Sequence, residues 1–286
     1  MPRIQHSFVA PSGLSLAVHD WGGAGDPVLL AHPTGFHGVL WQPVAEGLVE
    51  RGRRVWSFDF RGHGDSEPSP GGAFAWSEFA DDTDAVLDHL ELRGHPRLLA
   101  VGHSKGAASL LTIAARDPAA LVRIWGYEPI VYPSDDPFPI DPDNPMSEAA
   151  RKRRAIWPSR EDAIASYESK PPLRTLRADS LRAYVDYGMR ELPDGTVTLK
   201  CQPEHEAAMY AMGAANGLYS RLAHVPCPVV VVCGGDSRSI SPSFGARIVE
   251  RLPRGTLETW HGHGHLGPLE DPDAAVESIL AFAATP

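Results

Sequence analysis

The sequence predicts an α/β protein: a mostly parallel sheet with helices on both faces and a helical insertion late in the chain. Short apolar runs alternate with segments of helical spacing, as parallel strands and their crossover helices do. The runs are bounded by glycine or proline. The alternation stops between residues 133 and 223 and then resumes.

The elements follow in order. "IQHSFVA" and "LSLAVHDW", separated by "PSG", read as an antiparallel hairpin at one edge. "PVLLAH" (27–32), "RRVWSFDF" (53–60), "RLLAVGH" (97–103), "LVRIWGYE" (121–128) and "PVVVVCGG" (228–235) are rich in Val, Leu and aromatic residues. Such short apolar runs suit strands buried on both faces. "GTLETW" is the last strand and brings the sheet to eight. Within 77–93, Phe79, Thr83, Val86, Leu87 and Leu90 share one helical face. Residues 104–116 and 271–284 also read as helices. Residues 133–223 open with "YPSDDPFPIDPDNP" and continue with helical segments only. They read as a cap inserted into a core formed by 1–132 and 224–286. The run "RKRR" (151–154) reads as a solvated helix face, with anion binding as its functional alternative.

The 286 residues suffice for one large core plus an insertion. Acidic residues exceed basic ones by 36 to 26, a net charge of -10, and no basic patch stands out, which argues against a nucleic-acid partner. Cys201, Cys227 and Cys233 form no CxxC, and an odd count suits a reducing compartment. No apolar signal core and no run of membrane-spanning length is present, so a soluble, cytoplasmic protein with no membrane partner is expected. The Gly-rich "GGAGDP" (22–27) precedes a strand rather than joining strand to helix, so no dinucleotide or other cofactor is expected. The expected partner is a small-molecule substrate. The cap can act as a lid or as a homodimer interface.

"LLAVGHSKGAASLL" (98–111) seats Ser104 between Gly102 and Gly106, after a strand and before a helix. This G-x-S-x-G turn is the nucleophile elbow. A hydroxyl there meets the positive end of a helix dipole, where a developing oxyanion is favoured. Serine needs a base, and "WHGHGHLGPLEDPD" (260–273) offers His261, His263 and His265. His265, just before the last helix, is the favoured base. A metal site on the three alternating histidines is the lesser reading, since no Cys or carboxylate cluster accompanies them. "LLAHPTGFHG" follows the third strand. Its Thr34 N–H and the N–H of Lys105 are the candidate oxyanion donors, because Pro33 has none to give. Two carboxylates end strands, Glu128 and Asp236, and either can orient the histidine.

With these residues in place the chain resembles the α/β-hydrolase superfamily. The resemblance rests on the "HPTG" loop, "DFRGHGDS" (59–66), the "GHSKG" elbow and "GHLGPLEDP" (264–272), and it covers nearly the whole core. It implies an eight-stranded sheet, a cap after the sixth strand, a mainly structural role for "DFRGHGDS", and the order nucleophile, acid, histidine. Three places depart from the family pattern. Pro33 replaces the usual glycine, and Lys105 replaces an uncharged residue. In the G-x-x-D turn after strand seven, Ser237 stands at the acid position and Asp236 one residue early. Members resembling haloalkane dehalogenases carry the acid after strand six, so Glu128 is favoured and Asp236 is the alternative.

The resemblance implies a serine hydrolase acting on an ester, thioester or lactone of a small to medium, fairly apolar substrate, without cofactor or metal. Other chemistry on the same triad (C–C bond hydrolysis, a lyase step, cofactor-free dioxygenation) is one alternative; a non-catalytic small-molecule receptor is another. Phe36, Trp41, Trp157 and Tyr184 are the candidate pocket residues, with Tyr167, Tyr187, Tyr210, Met209 and Met212 as further apolar candidates. The Lys105 side chain is expected to reach solvent or a cap carboxylate; its functional alternative is to attract an acidic substrate or lower a neighbouring pKa.

Overall fold

A computed structural model describes residues 3–136 and 139–285. In chain order the strands are β1 (Ile4–Val9), β2 (Ser15–Gly22), β3 (Pro27–Ala31), β4 (Arg54–Phe58), β5 (Leu99–His103), β6 (Ile124–Tyr127), β7 (Ile156–Trp157), β8 (Met189–Glu191), β9 (Val197–Leu199), β10 (Val229–Gly234) and β11 (Gly255–Trp260). The α-helices are α1 (Gln42–Glu50), α2 (Trp76–His89), α3 (Lys105–Arg116), α4 (Pro145–Arg151), α5 (Arg160–Glu168), α6 (Ala178–Gly188), α7 (Pro203–Ala211), α8 (Pro242–Val249), α9 (Gly267–Glu270) and α10 (Pro272–Ala283).

Eight strands form one sheet in the order β1-β2-β4-β3-β5-β6-β10-β11. The β1–β2 hairpin is antiparallel and lies at the edge; β3 onward is parallel. Successive residues of β3 face opposite sides, as the pleat requires. Val28 and Leu30 join Val44, Leu48 and Ile279 of α1 and α10 in one core layer. Leu29 and Ala31 join Phe79, Leu110 and Ile248 of α2, α3 and α8 in the other.

The register decides where the site lies. Gly102 pairs with Gly126 and His103 with Tyr127; Val232 pairs with Tyr127, and Gly234 with Trp260. The carboxyl ends of β5, β6, β10 and β11 therefore finish side by side, the usual place for a site on a parallel α/β sheet.

The insertion differs from the all-helical expectation. Besides α4 to α7 it carries a three-stranded antiparallel sheet, β7-β9-β8. Its hairpin turns at Asp194-Gly195, where Gly195 adopts a φ of 84° and Leu192 N–H and Thr196 C=O close the loop at 2.8 Å. A DG pair between alternating residues is a hairpin signal, but strands of two or three residues are too short for periodicity to expose. The insertion packs on the core through a third apolar cluster, in which Leu173, Leu181 and Val185 meet Leu40, Leu266 and Leu269. Among the described residues no helix is long and apolar enough to cross a membrane. The three cysteines are unpaired and buried.

The turn after β5 depends on missing side chains. A Cβ on Gly102 would come within 2.5 Å of Ala107 N, and one on Gly106 would overlap the carbonyl oxygen of Ala31. Gly106→Ala is therefore expected to push α3 off the sheet and cost about 1–3 kcal/mol of stability. Urea unfolding of the two proteins checks this; equal midpoints would contradict it.

Candidate active site

Ser104 sits between β5 and α3 with φ 56° and ψ -114°. That is a region non-glycine residues adopt only when their surroundings enforce it. Here the enforcement comes from both sides: Ser104 N–H donates to Tyr127 C=O at 2.8 Å, and Ser104 C=O accepts from Ala108 N–H at 3.0 Å. The side chain is thereby lifted onto the first turn of α3.

Glu128 follows β6 with a φ of 44° and is fully buried. Its Oε2 accepts from His265 Nδ1 at 2.6 Å and from Ser237 Oγ at 2.8 Å; its Oε1 accepts from Gly234 N–H at 2.9 Å. Ile240 N–H adds a longer bond of 3.4 Å to Oε2. A buried carboxylate needs such donors. The structure thus brings together Glu128 and His265. It does not bring Asp236 to the histidine: Asp236 is exposed, and its N–H donates to His263 C=O at 3.0 Å. Ser237 takes the place of the missing acid in the G-x-x-D turn and spends its hydroxyl on the carboxylate that replaces it.

The three alternating histidines do not converge. His261 is exposed, His263 packs against Trp260 with ring centroids 5.6 Å apart, and His265 turns to Glu128. The His265 loop is pinned twice. Tyr127 OH donates to Gly264 C=O at 2.6 Å, and His103 Nε2 donates to His265 C=O at 2.8 Å. Burial depresses the His103 pKa well below its ordinary value, so the ring is neutral with its proton on Nε2. Neither Tyr127 nor His103 stood out in the sequence; the one available signal was their position beside the acid and the serine.

The loop after β3 is held by the "DFRGHGDS" segment. Gly35, at φ 81°, donates its N–H to His63 Nε2 at 3.2 Å, and Gly38 N–H donates to Asp59 Oδ1 at 2.6 Å. His63 Nδ1 donates to Arg61 C=O at 2.9 Å, which fixes its tautomer. The Arg61 guanidinium is anchored on buried Asp82. Between these anchors, the N–H groups of Thr34 and Lys105 have no backbone acceptor among the described residues, the second because the first turn of a helix has no intrahelical partner.

The Lys105 side chain corrects the expectation of a solvent or cap partner. It is buried, with Nζ 4.4 Å from the ring centroids of both Phe60 and Phe79 and 3.2 Å from His63 Nε2. Burial, the largest cause, lowers its pKa to about 7; Asp82 and Asp59 act in the other direction.

A cavity of about 520 Å³ opens in the insertion, with Trp157, Tyr167, Tyr184 and Tyr210 in its wall and Phe36 reaching it from the loop after β3. Trp41, expected there, is instead fully buried in the α1/α10 core layer, edge-on to His103. Met209 and Met212 lie in the opposite core layer. Tyr187 is exposed, beneath Arg3. "RKRR" is also not a uniformly solvated face, because Arg153 turns inward to line the cavity.

A parallel sheet carrying an elbow serine, a histidine–carboxylate pair and two unspent N–H donors at its carboxyl edge defines a class, and the comparisons agree with it. A family model described as "Alpha/beta hydrolase family" matches residues 28–278, and the chain belongs to that family. It is 24% identical over 262 residues to non-heme chloroperoxidase CPO-A1 of Kitasatospora aureofaciens, covering 88% of this chain and 89% of that one. It is 24% identical over 265 residues to 2-(acetamidomethylene)succinate hydrolase of Mesorhizobium japonicum, covering 91% and 88%. A crystal structure of E-2-(acetamidomethylene)succinate hydrolase superposes with a TM-score of 0.81 at 21% identity, covering 99% of this chain and all of that one.

Lys105 yields a pH prediction. Its folded pKa of about 7 lies below the ordinary 10.5. Between those values the unfolded chain holds a proton that the native chain has released, so stability rises with pH across that window. Below it both states are protonated and the full cost of burying the ammonium remains. Lys105→Met keeps the backbone N–H and the apolar stem. It is expected to stabilise the protein by a few kcal/mol near pH 6, with the gain shrinking toward pH 10. Urea unfolding at both pH values checks this; a pH-independent gap would contradict it.

Proposed function

We propose that the protein is a serine hydrolase that cleaves an ester, thioester or lactone of a small to medium, largely apolar substrate through an acyl-enzyme. The observation that carries this reading is the 2.6 Å bond between His265 Nδ1 and buried Glu128, beside the strained elbow of Ser104. With Nδ1–H hydrogen-bonded to Glu128, the neutral form of the His265 ring presents an unprotonated Nε2. That nitrogen takes the Ser104 proton as Oγ attacks the substrate carbonyl. The new oxyanion receives the N–H groups of Thr34 and Lys105, each such donor being worth about 3–4 kcal/mol in the transition state. His265 then protonates the leaving group, and water, activated by the same nitrogen, releases the acid. Glu128 fixes the tautomer and stabilises the imidazolium. No step requires a cofactor.

The relative named 2-(acetamidomethylene)succinate hydrolase supports hydrolysis as the reaction. Phe36, Trp157 and Tyr184 supply the apolar wall for the acyl or leaving group.

The test is a panel of aryl esters, thioesters and lactones turned over by the wild type and three variants. Ser104→Ala is expected to abolish turnover. Glu128→Gln is expected to lower kcat/KM on the order of 10³–10⁴-fold by presenting the wrong tautomer. Asp236→Asn, an exposed change away from the histidine, is expected to stay within about twofold. Undiminished turnover by Ser104→Ala, or a larger loss from Asp236→Asn than from Glu128→Gln, would refute the assignment.

A further inference from the structure

We infer that the cavity recognises an anion, and that the acyl substrate carries a carboxylate held by Arg153. The inference rests on the acyl-transfer reading of Ser104 and adds the chemical class of its substrate.

The charge of the cavity runs against that of the chain. The protein carries a net -10, yet among the described residues the cavity is lined by Lys152, Arg153, Arg154 and Lys170 against a single carboxylate, Glu206. Lys152 is paired with Glu148 at 3.4 Å. Arg154 bonds the backbone carbonyl of Ile156 and Lys170 the hydroxyl of Ser166, so neither charge is neutralised by a carboxylate among the described residues. A cationic mouth on an acidic protein concentrates anions at that mouth and turns cations away.

Arg153 differs from the other three in being held. Its side chain is 22% exposed, and its guanidinium is fixed by Glu206 Oε2 on one side and by Tyr184 OH, at 2.5 Å, on the other. Those bonds use two of its five N–H donors, and three are left for a ligand. A planar guanidinium held in place suits a carboxylate better than a mobile ammonium does.

Its partners tie it to the oxyanion loop. The Tyr184 ring packs on Phe36 at 5.0 Å and stacks on His37 at 6.1 Å, and the Tyr184 carbonyl accepts from His37 Nε2 at 3.1 Å. The Glu206 carboxylate lies directly against the Cα of Gly35, the residue after Thr34. Through Glu206 and Tyr184 the cation is thus linked to Gly35 and Phe36, the two residues that follow Thr34. A substrate with an apolar middle, a scissile carbonyl at one end and a carboxylate at the other fits that arrangement. Glu206 also holds Arg153 in place when no substrate is bound.

The experiment compares two esters of equal chain length and leaving group: 4-nitrophenyl hexanoate and the mono-4-nitrophenyl ester of adipic acid. The wild type is expected to favour the adipate by roughly 10- to 100-fold in kcat/KM, the worth of one charged hydrogen-bonded contact. The preference should fall with added salt. It should collapse toward unity in Arg153→Gln and survive in part in Arg153→Lys. If Arg153→Gln does not fold, the Arg154→Gln/Lys170→Gln double variant is expected to lower the ratio and flatten its salt dependence. An equal rate on both esters, or a ratio unchanged in folded Arg153→Gln, overturns the inference while leaving the hydrolase reading intact. If neither ester is cleaved, the hydrolase reading has failed, and binding to Ser104→Ala still decides the anion site. Monomethyl adipate should bind tighter than methyl hexanoate by calorimetry; equal affinity overturns the inference.

Discussion

A carboxylate with no access to water must be hydrogen-bonded, and the site is built around that requirement at Glu128. Its two oxygens collect donors from two neighbouring strand ends: Gly234 N–H at the end of β10, Ser237 and Ile240 just beyond it, and His265 after β11. The residue accepts a positive φ to sit where these meet, a strain that only over-determined surroundings maintain. The parallel register does the rest, since it ends β5, β6 and β10 at one level and puts Ser104 one strand away. Removing the carboxylate would leave a group of polar donors facing apolar packing, so orientation of the histidine and integrity of the sheet edge are one constraint.

Around that carboxylate the protein uses neutral imidazoles as rigid connectors. Burial pushes the pKa values of His32, His63 and His103 well below the ordinary imidazole value and so favours the neutral ring. Each then has one donor and one acceptor whose roles its neighbours set. His32 Nε2 accepts from Phe60 N–H at 3.1 Å. His63 accepts from Gly35 in the loop after β3, and His103 donates to the carbonyl of His265. Lys105 belongs to the same buried layer. Its ammonium lies over two phenyl rings rather than a carboxylate, so weak cation–π attraction supports its charge, while burial lowers its pKa. Loops that bear the chemistry are thus fixed by groups that themselves need not ionise.

Most of the core was legible because its signals are local. The hairpin, the five central strands and the helices over 76–89 and 105–116 follow from periodicity and glycine placement within short windows. The elbow follows from two glycines whose side chains would collide. The unread parts depend on contacts between distant segments. Ser237 reads as a lost acid until its hydroxyl is seen on Glu128, 109 residues away. Trp41 reads as a pocket residue by type, but it is buried in the α1/α10 core layer. Lys105 reads as exposed because lysines usually are, and only the fold places Phe60 and Phe79 beneath it. Arg153 sits in a run of four basic residues whose composition says surface; a single inward turn after α4 takes it to Glu206. The strands β7 to β9 were missed because two or three residues carry no period.

The central claim is that Ser104 is an activated nucleophile whose base is oriented by Glu128. Intact-mass spectrometry after treatment with a fluorophosphonate tests it most directly, on the wild type, Ser104→Ala and Glu128→Gln side by side. The account predicts one adduct on the wild type, located at Ser104, none on Ser104→Ala, and strongly slowed labelling of Glu128→Gln. An adduct on Ser104→Ala, or equal labelling rates for the wild type and Glu128→Gln, would contradict it.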